Sequence, residues 1–316
     1  MNKLIEVKDL KKSYGEVKAV KGINFYVETG SLFAFLGPNG AGKSTTIEMM
    51  CTLLQPDSGE IKIAGYKIGE EDDKIRDIIG IVFQDGVLDQ ALTVRENLLI
   101  RGEFYHMKRR QLKEAVENAA RTVEISELLD RPYGKLSGGQ RRRADIARAL
   151  IHTPKVLFLD EPTTGLDPQT RQQVWQTVKV LQEKTGMTVF LTTHYMEEAA
   201  VADYITIMKE GNIVAKGTPV ELKQEYASDL LKIKPQQRKE LEEKLQQMKR
   251  SYEKKGEVFA IRVKDTLEAL ALATELKELI ANIEIVNGTM DEVFIRIIGK
   301  EKEDVHTSKK KYKASF

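Results

Sequence analysis

The sequence predicts an α/β protein with a largely parallel core sheet, followed by a smaller α/β appendage. Short continuous apolar runs alternate with longer helical patterns up to about Gly217, which is typical of strands buried between helices. These runs are 31–36, 156–159 and 188–192. A new succession of strands and helices follows, so we expect a core of residues 1–220 and an accessory domain of residues 221–300.

The composition is that of an ordinary globular protein. Of the 316 residues, 41% are hydrophobic and 31% are charged, which excludes a fibrous or largely disordered chain. The formal net charge of +2 gives no indication of nucleic-acid binding. The single cysteine, Cys51, excludes an internal disulfide and fits a reducing compartment, and we expect it to be a small buried residue in a helix.

Neither a signal peptide nor a transmembrane helix is predicted. The first residues lack a long apolar stretch, and nowhere do about eighteen apolar residues follow one another. We therefore expect a cytosolic protein, or one that is attached to a membrane only through a partner.

The accessory domain is predicted from a charged connector and four elements. The connector, 237–250, is rich in Lys, Glu and Gln and is expected to be a solvated helix or a linker. The elements are a strand at 257–263, an amphipathic helix at 266–281, a strand at 283–286 and a closing helix at 290–298. The charged tail, residues 301–316, is predicted to be disordered.

A glycine-rich loop follows the first apolar run and opens a helical pattern at Lys43. The loop comprises Gly37, Pro38, Asn39, Gly40, Ala41, Gly42, Lys43, Ser44 and Thr45. Glycines let backbone N–H groups turn towards phosphate oxygens, and the helix N-terminus adds unsatisfied donors and a partial positive charge. Because Lys43 suits the β- and γ-phosphates and the Ser44 hydroxyl suits Mg²⁺, we expect a phosphate site here.

Two adjacent acids end the apolar run at 156–159. In a parallel strand that is buried on both faces, Asp160 and Glu161 emerge at the carboxyl edge of the sheet, where α/β proteins bind ligands. With the phosphate loop upstream, this position suits Asp160 to hold Mg²⁺ through water and Glu161 to orient or deprotonate an attacking water. The structural alternative is a strand that simply ends in two solvated acids.

A second helix start with bare backbone occurs at Leu136-Ser137-Gly138-Gly139-Gln140. Two glycines after a serine precede a helical run, and such an end can hold a phosphate. One chain would then carry two anion-binding helix starts. This suggests that two chains enclose each ATP between them.

Together these segments resemble the ABC (ATP-binding cassette) ATPase family over about residues 3–220. The stretch 37–45 is similar to its Walker A loop, 157–161 to its Walker B strand and 136–140 to its signature loop. Further similarities follow in the family's order. Tyr14 is similar to the aromatic residue that stacks on adenine, and Gln84 is similar to the Q-loop glutamine. Residues 165–167 are similar to the D-loop, and His194 is similar to the switch histidine. The resemblance implies a P-loop NTPase core with a mixed sheet and a helical subdomain.

The resemblance also implies cofactors, partners and roles. Two copies would bind head to tail, with ATP and Mg²⁺ as ligands, and a separate transmembrane permease would supply the pore at the cytoplasmic face of the cell membrane. One copy would contribute Lys43, Ser44, Asp160 and Gln84, and the other Ser137, Gly138, Gly139 and Gln140. Glu161, His194 and Lys43 would be the catalytic residues.

The appendage resembles that of drug- and antibiotic-export ATPases of the daunorubicin-resistance type. The similarity lies in Thr289-Met290-Asp291-Glu292-Val293-Phe294 and in the neighbourhood 137–145. It implies an exporter of drug-like, antibiotic or lipid-like substrates that is paired with an ABC-2-type permease.

Two other classes of function stay open at this stage. A soluble ABC ATPase could act on nucleic acid or ribosomes, although such chains usually carry two cassettes or a large coiled-coil insertion. A regulatory module could bind nucleotide without turnover, but intact Lys43 and Glu161 argue against it. Arg141–Arg143 could form a basic patch; with Asp145 nearby, we expect a solvated helix face and no nucleic-acid partner.

Four further residues are given no functional role. His106, His152 and His306 are expected to be surface residues, and Trp175 is expected to contribute packing.

Overall fold

The computed structural model describes residues 2–299 in two units, one ending at Lys216 and the other beginning at Gly217. The disordered tail predicted at 301–316 lies outside the described residues. Within residues 2–299, no helix combines the length and the apolar character needed to cross a bilayer.

The first unit contains ten strands and seven helices in the part of the chain that the structure describes. The strands are β1 (Lys3–Tyr14), β2 (Val17–Glu28), β3 (Leu32–Leu36), β4 (Ser58–Ile63), β5 (Tyr66–Lys67), β6 (Ile79–Val82), β7 (Val156–Asp160), β8 (Thr188–Thr193), β9 (Tyr204–Lys209) and β10 (Asn212–Gly217). The helices are α1 (Lys43–Met50), α2 (Asp72–Arg76), α3 (Val94–Glu103), α4 (Arg109–Thr122), α5 (Gly138–Leu150), α6 (Pro168–Thr185) and α7 (Met196–Ala199).

The core sheet has six strands in the order β10-β9-β3-β8-β7-β6. All pairs from β9 to β6 are parallel, and their apolar runs are buried on both faces. The edge strand β10 follows β9 through Glu210 and Gly211, which both have positive φ (47° and 79°). Because a two-residue connection of this kind makes a tight hairpin, β10 runs antiparallel and the sheet is mixed, as predicted.

A second, antiparallel sheet in the order β2-β1-β4-β5 packs against the core sheet. One hydrophobic cluster joins the two: Ile5 and Phe25 come from the second sheet, Phe158 from the core sheet, and Ile47 and Met50 from α1. The helix after the glycine-rich loop is therefore held between two sheets, which fixes the direction of its N-terminus.

Helices α3, α4 and α5 pack against one another and form the predicted helical subdomain. The last of them, α5, also contacts β6 and α6. It begins directly after Ser137 and runs antiparallel to β6, so its start lies near the carboxyl end of β6 and its end near the amino end.

The second unit contains four helices and four strands within the described residues. They are α8 (Pro219–Tyr226), β11 (Asp229–Pro235), α9 (Arg238–Gln247), β12 (Tyr252–Lys255), β13 (Val258–Val263), α10 (Thr266–Glu275), β14 (Ile280–Val286) and α11 (Met290–Gly299). The segment β11-α9-β12-β13-α10-β14 folds with the antiparallel order β12-β13-β11-β14, which is a ferredoxin-like arrangement.

One predicted element of this unit was too long. The helix expected at 266–281 ends at Glu275, and the chain passes through a 3₁₀ turn at Lys277–Leu279 into β14. The predicted strand at 283–286 therefore begins at Ile280, which pairs with Pro235 of β11. The β-branched residues of this segment favour the pleated conformation, and pairing with β11 outweighs the helical pattern that precedes them.

Candidate functional site

The glycine-rich loop connects β3 to α1 and borders a cavity of about 390 Å³, called here the P-loop cavity. Its lining residues are Ala19, Asn39, Gly40, Gly42, Lys43, Ser44, Thr45, Gln84 and Glu161. Gly42 has φ 102°, and an added Cβ there would lie 2.4 Å from the Ala19 carbonyl oxygen. An added Cβ at Gly37 would lie 2.4 Å from the Met208 carbonyl oxygen, so both glycines are required by close backbone approach.

The Lys43 side chain lies at the base of this cavity and is only 4% exposed. Its Nζ donates to the carbonyl oxygens of Gly37 (2.9 Å) and Pro38 (3.2 Å). The same Nζ lies 3.3 Å from Glu161 Oε1. The buried ammonium is thus paired with a buried carboxylate, which satisfies both charges.

Glu161 connects the loop to the end of the neighbouring strand β8. Its Oε2 lies 3.1 Å from His194 Nδ1 and accepts a hydrogen bond from Thr164 Oγ1 at 3.2 Å. Its backbone has φ 43°, a left-handed conformation that is unusual for a residue other than glycine. Hydrogen bonds from the Glu161 N–H to the Thr192 carbonyl oxygen and hydroxyl hold this conformation. Such local strain is characteristic of functional sites.

Asp160 lies beside the second hydroxyl of the loop. The Ser44 Oγ donates to Asp160 Oδ1 at 3.4 Å, and the Thr192 hydroxyl donates to the same oxygen. Burial raises the pKa of Asp160, the hydrogen bond from Thr192 lowers it, and the neighbouring Glu161 carboxylate raises it again. A carboxylate and a hydroxyl converge here, and these are the hard oxygen ligands that Mg²⁺ prefers. The residues present therefore fit a magnesium site.

The signature loop forms the start of α5. Ser137 caps this helix by accepting from the Gln140 N–H (3.4 Å), and the Gln140 side chain accepts from the Ser137 N–H (3.0 Å). An added Cβ at Gly139 would lie 2.3 Å from Thr170 Cγ2, and one at Gly138 would lie 2.9 Å from Leu166 Cδ2. These residues are not among those that line the P-loop cavity.

The other predicted residues fall in different places. Gln84 lines the P-loop cavity in the loop after β6. Tyr14 is not among the lining residues; it ends β1 with 49% of its surface exposed. An exposed ring is free to stack on a base, and its role as the adenine platform stays a prediction.

Comparisons with known proteins agree with this geometry. The family profile described as "ABC transporter" matches residues 20–164. The daunorubicin/doxorubicin resistance ATP-binding protein DrrA of Streptomyces peucetius is 36% identical over 313 residues, covering 96% of this chain and 94% of DrrA. The chain belongs to the ABC transporter family. As an ATP-binding cassette it binds nucleotide and is an ATPase.

Other relatives and solved structures of ABC proteins are similar to this cassette. The linearmycin resistance ATP-binding protein LnrL of Bacillus subtilis is 44% identical over 232 residues, which are 72% of this chain and 73% of LnrL. The structure of cbiO1 from Clostridium perfringens, part of the ABC transporter complex cbiONQ, has a TM-score of 0.67 and 33% identity, covering 72% of this chain and 93% of cbiO1. The ATP-binding cassette MJ0796, in a dimeric post-hydrolysis state bound to ADP and Pi, has a TM-score of 0.62 and 30% identity, covering 68% and 98%.

Two sequence interpretations of this ABC ATPase were wrong. The arginine run 141–143 is not a solvated face, because Arg142 is buried along with Asp145. His152 is not a surface residue: its ring stacks on Tyr105 with centroids 4.1 Å apart, and its Nε2 lies 2.8 Å from the Ile79 carbonyl oxygen. Burial lowers the pKa of His152. In both cases the side chain finds backbone carbonyls of β6 or its loop, which a helical pattern alone does not reveal.

Sequence reasoning also missed two residues that organise the cassette's site. Thr192 holds both Asp160 and the Glu161 backbone. Glu198 is buried, with 1% exposure, and accepts hydrogen bonds from the hydroxyls of Thr163 and Thr193, which flank Glu161 and His194 in sequence. The only available signal was a pair of threonines at the end of an otherwise apolar strand.

Proposed function

We propose that this chain is the ATP-hydrolysing subunit of an exporter of drug-like, antibiotic or lipid-like substrates, and that a separate permease supplies the pore. The observation that carries the proposal is the cluster of buried Lys43 and Glu161 with the half-buried His194 beside a glycine-rich cavity. The full-length similarity to DrrA, a named resistance ATP-binding protein, supports the export direction. Residues 1–220 would be the nucleotide-binding domain and 221–300 an accessory domain.

The site residues have defined roles in this proposal. Lys43 is paired with Glu161. The γ-phosphate would compete for the Lys43 ammonium, which frees the Glu161 carboxylate to accept a proton from the attacking water. Lys43 and His194 would then donate to the phosphate oxygens as negative charge develops. Tyr14 and the loop 37–45 would hold the adenine and the phosphates.

Mg²⁺ would be held by Ser44, Asp160 and Gln84. When bound, it neutralises charge on the β- and γ-phosphates. Thr192 donates to Asp160 and so orients the carboxylate towards the Ser44 hydroxyl.

A second copy of the chain would complete each site head to tail through Ser137, Gly138, Gly139 and Gln140. The start of α5 presents a capped helix N-terminus outside its own P-loop cavity, which suits a phosphate held by another chain. The dimeric state of the cassette MJ0796 supports this arrangement. Because the nucleotide would bridge both copies, ATP binding would stabilise the dimer by mass action.

The permease would contact the surface next to Gln84. A groove of about 680 Å³ is lined by the exposed apolar side chains of Val87, Ile100 and Phe104. Apolar side chains exposed at one place are typical of a protein interface. This attachment would hold the subunit at the cytoplasmic face of the membrane.

The proposal is tested by measuring ATP hydrolysis and molar mass together. The full chain and its Glu161→Gln variant are compared in ATP and Mg²⁺, with mass determined by light scattering. We expect turnover from the natural sequence and an ATP-trapped dimer from the variant. Absence of both turnover and dimer, with ATP binding intact, would contradict the proposal and indicate a regulatory nucleotide-binding module.

A further inference from the structure

The helix that starts at the signature loop is tied to the strand that leads to Gln84. Buried side chains of α5 donate to backbone carbonyls along β6 and the loop after it. Arg148 donates to the Ile81 carbonyl oxygen at 2.5 Å, and Arg142 donates to those of Phe83 and Gln84. The contacts thus follow the strand out to the Q-loop glutamine itself.

Arg142 makes the last and most specific of these contacts. Its Nη1 lies 2.6 Å from the Phe83 carbonyl oxygen and its Nη2 lies 2.7 Å from that of Gln84. Two donors of one planar guanidinium therefore bind two consecutive carbonyls, a geometry that a lysine ammonium cannot reproduce. The side chain is 7% exposed, so its charge is largely removed from water. Burial lowers the pKa of Arg142, and the Asp145 carboxylate opposes this effect.

The loop also approaches a buried polar pair next to Arg142, formed by Tyr133 and Asp145. The Tyr133 hydroxyl donates to Asp145 at 3.1 Å. An added Cβ at Gly86 would lie 2.4 Å from the Tyr133 hydroxyl oxygen and 3.4 Å from Asp145 Oδ2. The backbone from Gln84 to Gly86 thus lies against Arg142 and this tyrosine–aspartate pair, and all three partners belong to α5 or the turn before it.

Burying an arginine to hold a loop is energetically unfavourable, so its presence indicates that the position of the loop matters. Removing a guanidinium from water is strongly unfavourable, and good hydrogen bonds are needed to offset that desolvation. Arg143, the next residue, illustrates the ordinary alternative: it is only partly buried and donates to the Glu124 carbonyl oxygen, away from Gln84.

We propose that Arg142 is a positioning residue for ATP hydrolysis, which fixes the main chain of Gln84 to the signature helix so that the two move together. This rests on the proposed function, in which Gln84 acts at the chain's own nucleotide and the start of α5 acts at the nucleotide of the second copy. A shift of α5 on engaging the partner's ATP is then transmitted through Arg142 to Gln84. The device links the two half-sites within one chain.

The test compares Arg142→Gln and Arg142→Lys with Arg143→Gln as the matched control. Loop mobility is read in the full chain without nucleotide from a nitroxide label on Val87→Cys, since Val87 is exposed and the other cysteine, Cys51, is buried with a raised thiol pKa. Hydrolysis is read as kcat and as the Mg²⁺ concentration that gives half-maximal activity.

For Arg142→Gln we expect a more mobile label and a several-fold higher half-maximal Mg²⁺ concentration. We also expect kcat to be lower by roughly ten- to a hundredfold, because misplacement of a reacting group slows the reaction. ATP binding without Mg²⁺ should stay within about twofold of the natural sequence, since Lys43 and the glycine-rich loop are untouched. Arg142→Lys keeps the charge but reaches one carbonyl, so its label mobility, kcat and half-maximal Mg²⁺ concentration should lie between those of the natural sequence and of Arg142→Gln. Arg143→Gln should match the natural sequence.

Two results would overturn the proposal. One is a mobile label with unchanged kcat and Mg²⁺ dependence in the Arg142 variants, which would mean that the loop's position does not matter for hydrolysis. The other is an equal effect of Arg143→Gln. If Arg142→Gln does not fold, Arg142→Lys decides between these outcomes. Failure of the shared-site dimer is detected separately, by light scattering of Glu161→Gln, and leaves the label mobility unaffected.

Discussion

The two helix starts of the cassette, at α1 and at α5, are built in opposite ways. The start of α1 is surrounded by charge from its own chain: Lys43 is paired with Glu161, and Ser44 is bonded to Asp160. The start of α5 is capped by the Ser137 hydroxyl and the Gln140 amide, and its nearby charged group is Arg141, which donates to the Leu136 carbonyl oxygen.

This difference indicates a division of labour. The α1 start contains the ionisable groups that phosphate chemistry needs, whereas the α5 start offers backbone donors and a dipole without an acid or a base. The start of α5 also packs closely against Thr170, which leaves no room for a Cβ at Gly139. In the proposed function, one half would perform the chemistry and the other would bind, so a complete site would require one of each.

The largest expected effect is at the α1 half. Glu161→Gln should lower kcat by roughly 10²- to 10⁴-fold, since a general base contributes about 3–5.5 kcal/mol to the barrier. ATP affinity should be retained, because Lys43 keeps its phosphate-binding ammonium. Steady-state hydrolysis and equilibrium ATP binding test this, and near-normal turnover would remove Glu161 from the role.

At the α5 half, Ser137→Arg should abolish the ATP-trapped dimer of Glu161→Gln and lower kcat of the natural sequence by about 10²-fold. Thr93→Arg is the control, because Thr93 caps α3 with the same capping box away from the site. Light scattering in ATP and Mg²⁺ reads the dimer. Equal loss of activity in both variants would show that only a helix cap was disturbed.

The buried pair of Tyr133 and Asp145 should make the stability of the folded state depend on pH. Burial raises the pKa of Asp145 to about 6, opposed by Arg142, Arg148, the Tyr133 hydroxyl and Arg141. The folded state then binds more protons than the unfolded state between the usual value of 3.8 and about 6, so this group's contribution to stability is lost as pH rises through that window.

Asp145→Asn removes that loss. The variant's free energy of unfolding should therefore gain about 2.5 kcal/mol relative to the natural sequence between pH 4 and pH 7.5, at ~1.4 kcal/mol per pKa unit. Urea unfolding at both pH values measures the difference. A pH-independent difference between the two proteins would contradict a buried, raised carboxyl at this position.

The smallest expected effect is that of Thr192, whose hydroxyl holds Asp160 and the Glu161 backbone. Thr192→Val should lower the free energy of unfolding by about 1–3 kcal/mol, since it removes a hydrogen bond to Asp160 and an acceptor for the Glu161 N–H. Thr206→Val is the matched control in the same sheet, because the buried Thr206 hydroxyl has no hydrogen-bond partner among the described residues. We expect it to be neutral, and equal losses from the two variants would contradict the argument.

The motifs of the fold were predictable because their signals are local. A glycine-rich loop between an apolar run and a helix, and acids at the end of an apolar run, each occupy a few consecutive residues. The mixed sheet and helical subdomain were confirmed with the family resemblance. The boundary between α10 and β14 was not predictable, because the pairing of Ile280 with Pro235 joins residues distant in sequence.

The same reasoning explains what was missed at the site. Arg142, Thr192 and Glu198 act on backbone or hydroxyl groups that are brought close only by the parallel sheet. From the sequence, Arg142 is one of three arginines in a row, and its burial depends on where β6 ends. Tertiary contacts decide which of the three arginines is buried.

We propose that each site combines the α1 half of one copy with the α5 half of another. Mixing two inactive proteins tests this arrangement. Glu161→Gln lacks the base and Ser137→Arg lacks the binding half, yet a mixed head-to-tail dimer contains one site with both halves intact. We expect ATP hydrolysis to reappear when the two variants are combined. If the mixture stays as inactive as its components while mixed dimers form, the halves act within one chain and the account is contradicted.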